Sequence, residues 1–433
     1  MPLENIRRCS KSSIRSLASV LRDAAPLSLA ARLIAPVLLA IFLGAVAPTV
    51  AQSKPDKDYL VYVLSEAADK ISLIRFGPGG ARLEHEVPTG DMPIDIDGPH
   101  GIAVSRDQHF YYVSLAHGRP FGSVWKYSTK DDRVMGQTTL GFFPATMDLS
   151  ADGSLLWVVN FNLHGDMVPS SVSVVATEPM IEVARIMTCA MPHGSRLNPQ
   201  GTKHYSACMM DDMLVEIDTQ TLKVSRSFLL TKGREMGMNG APVSPGTKTT
   251  GMGITKSVSP SRQPTSDARH MDMGGHGMEP PKAGDLSCSP TWAQPSVDGS
   301  SIFVACNKSS EVVEVDAARW RVTRRLPARP GVYNLAVTKD GTRLLTTNKR
   351  DQSVSVMDLK SGRELARIPT RRKVLHGVVV SPDDRYAFVS VEGIGSEPGT
   401  VEIIDLAALK IVASLDVPEE AAGIDFFRTA PAK

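Results

Sequence analysis

No charge of one sign dominates this sequence: 48 lysines and arginines stand against 46 aspartates and glutamates, a formal net charge of +2. So balanced a chain builds no broad field for a polyanion, and nucleic acid is not an expected partner. There is no Cys-x-x-Cys-His run, which excludes covalent attachment of a c-type haem. A phosphate loop and a dinucleotide fingerprint are also missing; the glycines fall instead at regularly repeated turns. No serine, histidine and acid stand at a recognisable catalytic spacing, since Ser206 near His204 is a lone pair. With 42% hydrophobic and 22% charged residues, the composition fits neither a disordered chain nor a polytopic membrane protein.

Residues 1–51 read as an export signal. The basic residues Arg7, Arg8, Lys11, Arg15, Arg22 and Arg32 precede the apolar run Leu33 to Ala51, which is broken by Pro36 and Pro48 and ends in Thr49-Val50-Ala51. Cleavage near Ala51 is expected. Left uncleaved, a run of about 20 apolar residues would anchor the chain, the one membrane association the sequence suggests. Export implies a periplasmic or secreted protein in an oxidising compartment. Without Cys9 four cysteines remain, Cys189, Cys208, Cys288 and Cys306, an even number that suits two disulfides.

The rest of the chain repeats itself. The unit is an apolar strand, a turn near Asp-Gly, a β-rich strand, a polar turn and a third strand ending in Asp, as in YNLAVTKDGTRLLTTNKRDQSVSVMDLKSGRELARI from Tyr333. Other copies begin at His100, Ala145, His193, Thr291 and His376. Their turns fall at Gln108, Gly153, Gly201, Gly299, Gly341 and Asp384, at spacings of 45, 48, 98, 42 and 43 residues. A seventh first strand, Ala422 to Thr429, has nothing after it, and its missing partners are the strands YLVYVLSE, KISLIRF and ARLEHEVP near the other end. A closed ring accounts for both ragged ends and leaves no open edge. The sequence therefore predicts an all-β chain: a seven-bladed β-propeller over 52–429, closed by pairing the C-terminal strand with N-terminal strands.

The segments LLTTNKRDQSVSVMDLKSG and FVACNKSSEVVEVD resemble the strand-turn-strand signature of the YVTN-type β-propeller family, and the likeness extends over nearly all of 52–429. The resemblance implies a fold more than a function. Related propellers include the haem domain of cytochrome-type nitrite reductase and the copper domain of nitrous oxide reductase. The latter carries many more histidines round its ring than are found here, so a multi-copper cluster is not expected.

The repeat register predicts which side chains meet. Eight positions before each turn lies the start of an inner strand: His100, Ala145, His193, Thr291, Tyr333, His376 and, by extension, Ala422. Inner strands surround the channel, so three histidines should face one mouth. A histidine before glycine can also serve only to cap backbone groups. His117 and His164 lie in loops that should border the same mouth, whereas His85, His109 and His204 should not. Cys208 and Cys306 lie seven positions past a turn, and Cys189 and Cys288 just before an inner strand. Disulfides Cys189–Cys208 and Cys288–Cys306 would tie each loop to its own blade; thiolate ligation is the alternative if the thiols stay reduced.

The spacing of 98 contains an insertion, 231–287, rich in Gly, Pro, Ser and Thr and predicted to be flexible. It holds six of the chain's 18 methionines, and the run HMDMGGHGM sets His270, Met271, Met273, His276 and Met278 within nine residues. Thioether and imidazole donors suit copper, whereas zinc sites favour thiolates or tighter spacing and calcium sites favour oxygens. By its place in the repeat this arm should emerge on the histidine face. The expected function is copper binding at the mouth, for copper handling or delivery, with a metal ion and a periplasmic protein as partners. A copper- or haem-dependent oxidoreductase and a metal-free scaffold are the alternatives.

Overall fold

The computed structural model describes residues 54–90, 96–117, 121–242 and 286–433. The expected signal 1–51 lies outside the described residues, as do 243–285, with His270, Met271, Met273, His276 and Met278.

Every regular element among the described residues is a β-strand, and the strands form seven antiparallel sheets. Blade 2 (Pro99–Val104, Phe110–Leu115, Ser123–Ser128, Val134–Thr139) is representative: four strands in chain order from the channel outward. Blade 3 begins with Pro144–Leu149, blade 4 with Pro192–Leu197, blade 5 with Pro290–Pro295, blade 6 with Val332–Val337 and blade 7 with Leu375–Val380. Blade 1 takes its inner strand, Ala421–Pro431, from the far end of the chain and pairs it with Lys57–Ser65. The seven inner strands touch in sequence round the ring, which is the predicted closure.

Position in the blade explains burial. Second strands are covered on both faces by neighbouring blades, so they read as unbroken apolar runs such as Tyr386–Val391, buried at all six residues. Outermost strands alternate, as in Ile181–Ala190. The core lies between blades. Tyr62, Tyr111 and Tyr127 stack across the joint of blades 1 and 2 at 4.5 and 5.0 Å, and Tyr59, Phe76 and Tyr386 fill the joint of blades 7 and 1.

The six turn positions read from the sequence all have positive φ: Gln108, Gly153, Gly201, Gly299, Gly341 and Asp384, at 55–77°. Hydroxyl-to-carboxylate bonds brace several of these turns, among them Ser105 to Asp107 and Ser296 to Asp298, both 2.6 Å. Both expected disulfides, Cys189–Cys208 and Cys288–Cys306, are formed.

The insertion begins with structure that its composition hides. Met236–Asn239 pairs with Lys223–Leu229 as a fifth strand on blade 4. The chain therefore runs back along the outer edge of the blade, away from the histidine face, before residue 243, so this end of the insertion does not leave on that face as its place in the repeat suggests. It re-enters on the histidine face, where Lys232 N donates to Leu286 O at 3.0 Å.

Two outcomes follow from these joints. Each disulfide closes a loop of 18 or 19 residues. Replacing Cys288 and Cys306 together by serine should cost about 3 kcal/mol, read by denaturant unfolding under oxidising conditions. The second outcome concerns His204, which is wholly buried, stacked on Trp157 at 5.2 Å, with no hydrogen-bond partner for either ring nitrogen among the described residues. Burial, helped by the Arg196 charge, drives its pKa down to about 3, so the folded state holds it neutral. Its contribution is complete above the unfolded value near 6.5 and is lost as the pH falls below that. His204→Phe should remove about 2 kcal/mol of the stability difference between pH 7 and pH 5. An unchanged difference would contradict the assignment.

Candidate metal centre

Each inner strand is preceded by a left-handed residue: Gly98, Phe143, Met191, Ser289, Gly331, Val374 and Glu420, with φ between 46 and 75°. Five are not glycine, and Val374 is β-branched, for which this region is costly. The carbonyl of each accepts the amide of the residue just past the second strand: Ala116, Phe161, Met209, Asn307, Lys349, Glu392 and Glu66. The same clasp, made seven times, brings the residue two further on to the channel mouth. Those residues are His100, Ala145, His193, Thr291, Tyr333, His376 and Ala422, as the register predicts.

Hydroxyls then fix this ring blade to blade. Ser114 donates to the carbonyl of Ala145, Thr146 to His193, Thr291 to Tyr333, Thr347 to His376 and Ser390 to Ala422. The glycine after each histidine has a packing cause. A Cβ on Gly101 would lie 1.8 Å from Ala145 O, and one on Gly194 2.4 Å from Thr291 O. Close approach of the next inner strand thus explains the glycine of each His-Gly pair, and it leaves the histidine to be explained.

His100, His193 and His376 are all buried, and one ligand nitrogen of each lies within 4.8 Å of the others. Tyr333 completes a square of rings: centroids are 6.2 Å apart for His100–His193, 5.2 Å for His193–Tyr333, 5.2 Å for Tyr333–His376 and 5.1 Å for His376–His100. The small residues Ala145 and Ala422, with Thr291, occupy the other inner-strand starts.

Hydrogen bonds set the tautomers. His100 Nδ1 lies 2.8 Å from a Glu66 carboxylate oxygen, which can only accept, so Nδ1 carries the proton. Its Nε2 is then the lone-pair nitrogen, buried and with no partner among the described residues. His193 Nδ1 donates to Thr291 O at 2.9 Å, leaving Nε2 to accept from Tyr333 Oη at 2.9 Å. Imidazoles that ligate metals are oriented in this way, one nitrogen held by a carboxylate or carbonyl and the other left for the ion. His193 also bridges blades 4 and 5 through that bond, so the backbone-capping reading of the sequence holds in part.

A carboxylate collar surrounds the square. Glu66 bonds His100 with one oxygen and His117 Nε2 with the other, at 2.8 Å each. Its burial opposes ionisation, yet the two imidazoles hold its pKa well below the usual carboxylate range. The same carboxylate raises the pKa of His117 against the effect of burial. Burial, with the charges of Glu66 and Glu392, pushes Glu420 up to about 7. Glu392 lies 4.0 Å from His376 Nε2 and accepts from Lys349 Nζ at 2.8 Å.

The predicted inner residues are therefore together, and His117 and His164 form a second tier. Their rings are 5.5 Å apart, and each packs on Phe143, which also touches His100. His85 and His109 lie elsewhere, as expected. Glu66, Glu392, Glu420 and Lys349 were not anticipated. Lys349 and Glu392 stand eight positions after the turns Gly341 and Asp384, so the register that found the histidines also indexes them in the opposite direction.

No protein-family model matches this chain, and no curated protein matches it. By fold the chain is similar to the periplasmic gluconolactonase PpgL of Pseudomonas aeruginosa, at 16% identity over 87% of this chain and 100% of that one, with a TM-score of 0.60. It is also similar to hydrazine synthase of Kuenenia stuttgartiensis (15%, 84% and 100%, 0.54) and to the dihydro-haem d1 dehydrogenase NirN (14%, 88% and 78%, 0.52). At such identities the likeness is one of fold.

Glu66 is the keystone of the collar. Glu66→Ala would leave the His100 N–H buried without an acceptor and should destabilise the protein by about 2–3 kcal/mol, read by denaturant unfolding of metal-free protein.

Proposed function

We propose that this chain is an exported propeller of YVTN type that binds copper at His100, His193 and His376, for copper handling or delivery. One observation carries the reading. Three buried imidazoles from blades 2, 4 and 7 bring nitrogens within 4.8 Å, and two of them are oriented by acceptors on the far side of the ring. An all-imidazole set suits copper, zinc, iron or nickel, and the sulfur donors Met271, Met273 and Met278, beside His270 and His276, shift the choice toward copper. The arm that carries them rejoins the described chain at Leu286, on the face of the imidazoles. His117 and His164 offer a more accessible pair of donors above the inner square, and the carboxylates about them favour a cation. Export is supported by the pattern of residues 1–51, by the two disulfides and by a fold neighbour that is itself periplasmic.

Exported protein, stripped of metal and reconstituted, should take up one copper in the propeller. His100→Ala, His193→Ala and His376→Ala should each weaken binding by at least about tenfold, measured by chelator competition. Equal retention of zinc would make the centre a general metal site. A Soret band would replace copper by haem, the group with which the neighbour NirN is concerned. No metal at all would leave a scaffold. Deleting Ser266–Pro281 should slow copper capture and leave the circular dichroism spectrum unchanged; unaltered capture would remove the arm from this reading.

A further inference from the structure

Two of the imidazoles are not equally ready for an ion. The His100 Nε2 lone pair is buried and has no partner among the described residues. The His193 Nε2 lone pair is covered, because the hydroxyl of Tyr333 donates to it at 2.9 Å. Tyr333 stands at the equivalent inner-strand position of blade 6, the one corner of the square that is not histidine. Its ring is wedged between His193 and His376, at 5.2 Å from each, and Lys349 Nζ sits 4.1 Å from the ring centroid. Lys349 is itself held by Glu392. The phenol is thus fixed in place by packing and aimed at a nitrogen that copper would need.

Resting on the copper reading, we propose that Tyr333 is a cap on the metal centre: its hydroxyl occupies His193 Nε2 in the metal-free protein and must release it before that nitrogen can ligate an ion. Nε2 has one lone pair, so phenol and metal exclude each other. The released hydroxyl loses a hydrogen bond in a buried site, and that loss is charged against metal binding. Tyr333 therefore sets how tightly and how fast the centre loads. A phenylalanine would keep the ring, its contacts with both histidines and the cation above it, and would remove the competitor.

Chelator competition with Cu(I) tests this on the purified full chain. Tyr333→Phe should bind copper about tenfold more tightly than the unaltered protein. On a His193→Ala background the same substitution should change nothing, because the capped nitrogen is gone. Unchanged affinity on the native background would overturn the cap. Weaker binding would make Tyr333 a donor to the ion and would also overturn it. Copper uptake by neither protein would instead refute the copper reading on which the cap rests. A measurement without substitution guards against a variant that fails to fold. With nitrogen-labelled histidine, the His193 Nε2 resonance should pass from a hydrogen-bonded to a metal-bound position at one equivalent of Cu(I). A resonance that stays put while the His100 signal moves would overturn the cap.

Discussion

Everything in this molecule hangs on one antiparallel pairing between segments remote in the chain. Ala421–Pro431 lies along Lys57–Ser65, from Lys57 opposite Pro431 to Ser65 opposite Ala421. That ladder completes blade 1, and blade 1 fills the gap between blades 7 and 2. Without it two sheet edges would lie open and the inner strands would not surround a channel. His100 and His376 belong to the blades on either side of that joint, so their contact at 5.1 Å exists only because the ring is shut.

Within the ring, precision comes from repetition of one local device. A left-handed residue turns the chain into each inner strand, and its carbonyl is clasped by an amide from the end of the second strand. Hydroxyls of the preceding blade then hold five of the mouth residues by their own carbonyls. The imidazoles are thus mounted on backbone fixed from two sides, which a site built on loops would not enjoy. The same crowding buries all four side chains of the square, and there the identity of each hydrogen-bond acceptor decides which nitrogen faces inward.

The turn register carried most of what could be read from the sequence. It placed six left-handed turns, the seven mouth residues and both disulfides, because a propeller repeats its geometry where it does not repeat its residues. What it missed has physical causes. Met236–Asn239 is a strand by virtue of the edge of blade 4 it joins, and nothing in Met-Gly-Met-Asn declares it. Glu66 had no index, since the turn that would number it is absent: in blade 1 the first and second strands come from opposite ends of the chain. Tyr333 is legible as a mouth residue but not as a donor, because its role depends on the tautomer of His193, and that follows from a carbonyl two blades' worth of sequence away.

Closure also orders events in time. The strand that latches the ring, Ala421–Pro431, follows every other described strand in the chain, so six sheets can form while the seventh waits for its innermost member. Until residue 431 exists, Lys57–Ser65 presents a bare apolar edge. A chain cut before Ala421 would thus keep six complete blades and an adhesive flank, prone to pair with another copy of itself.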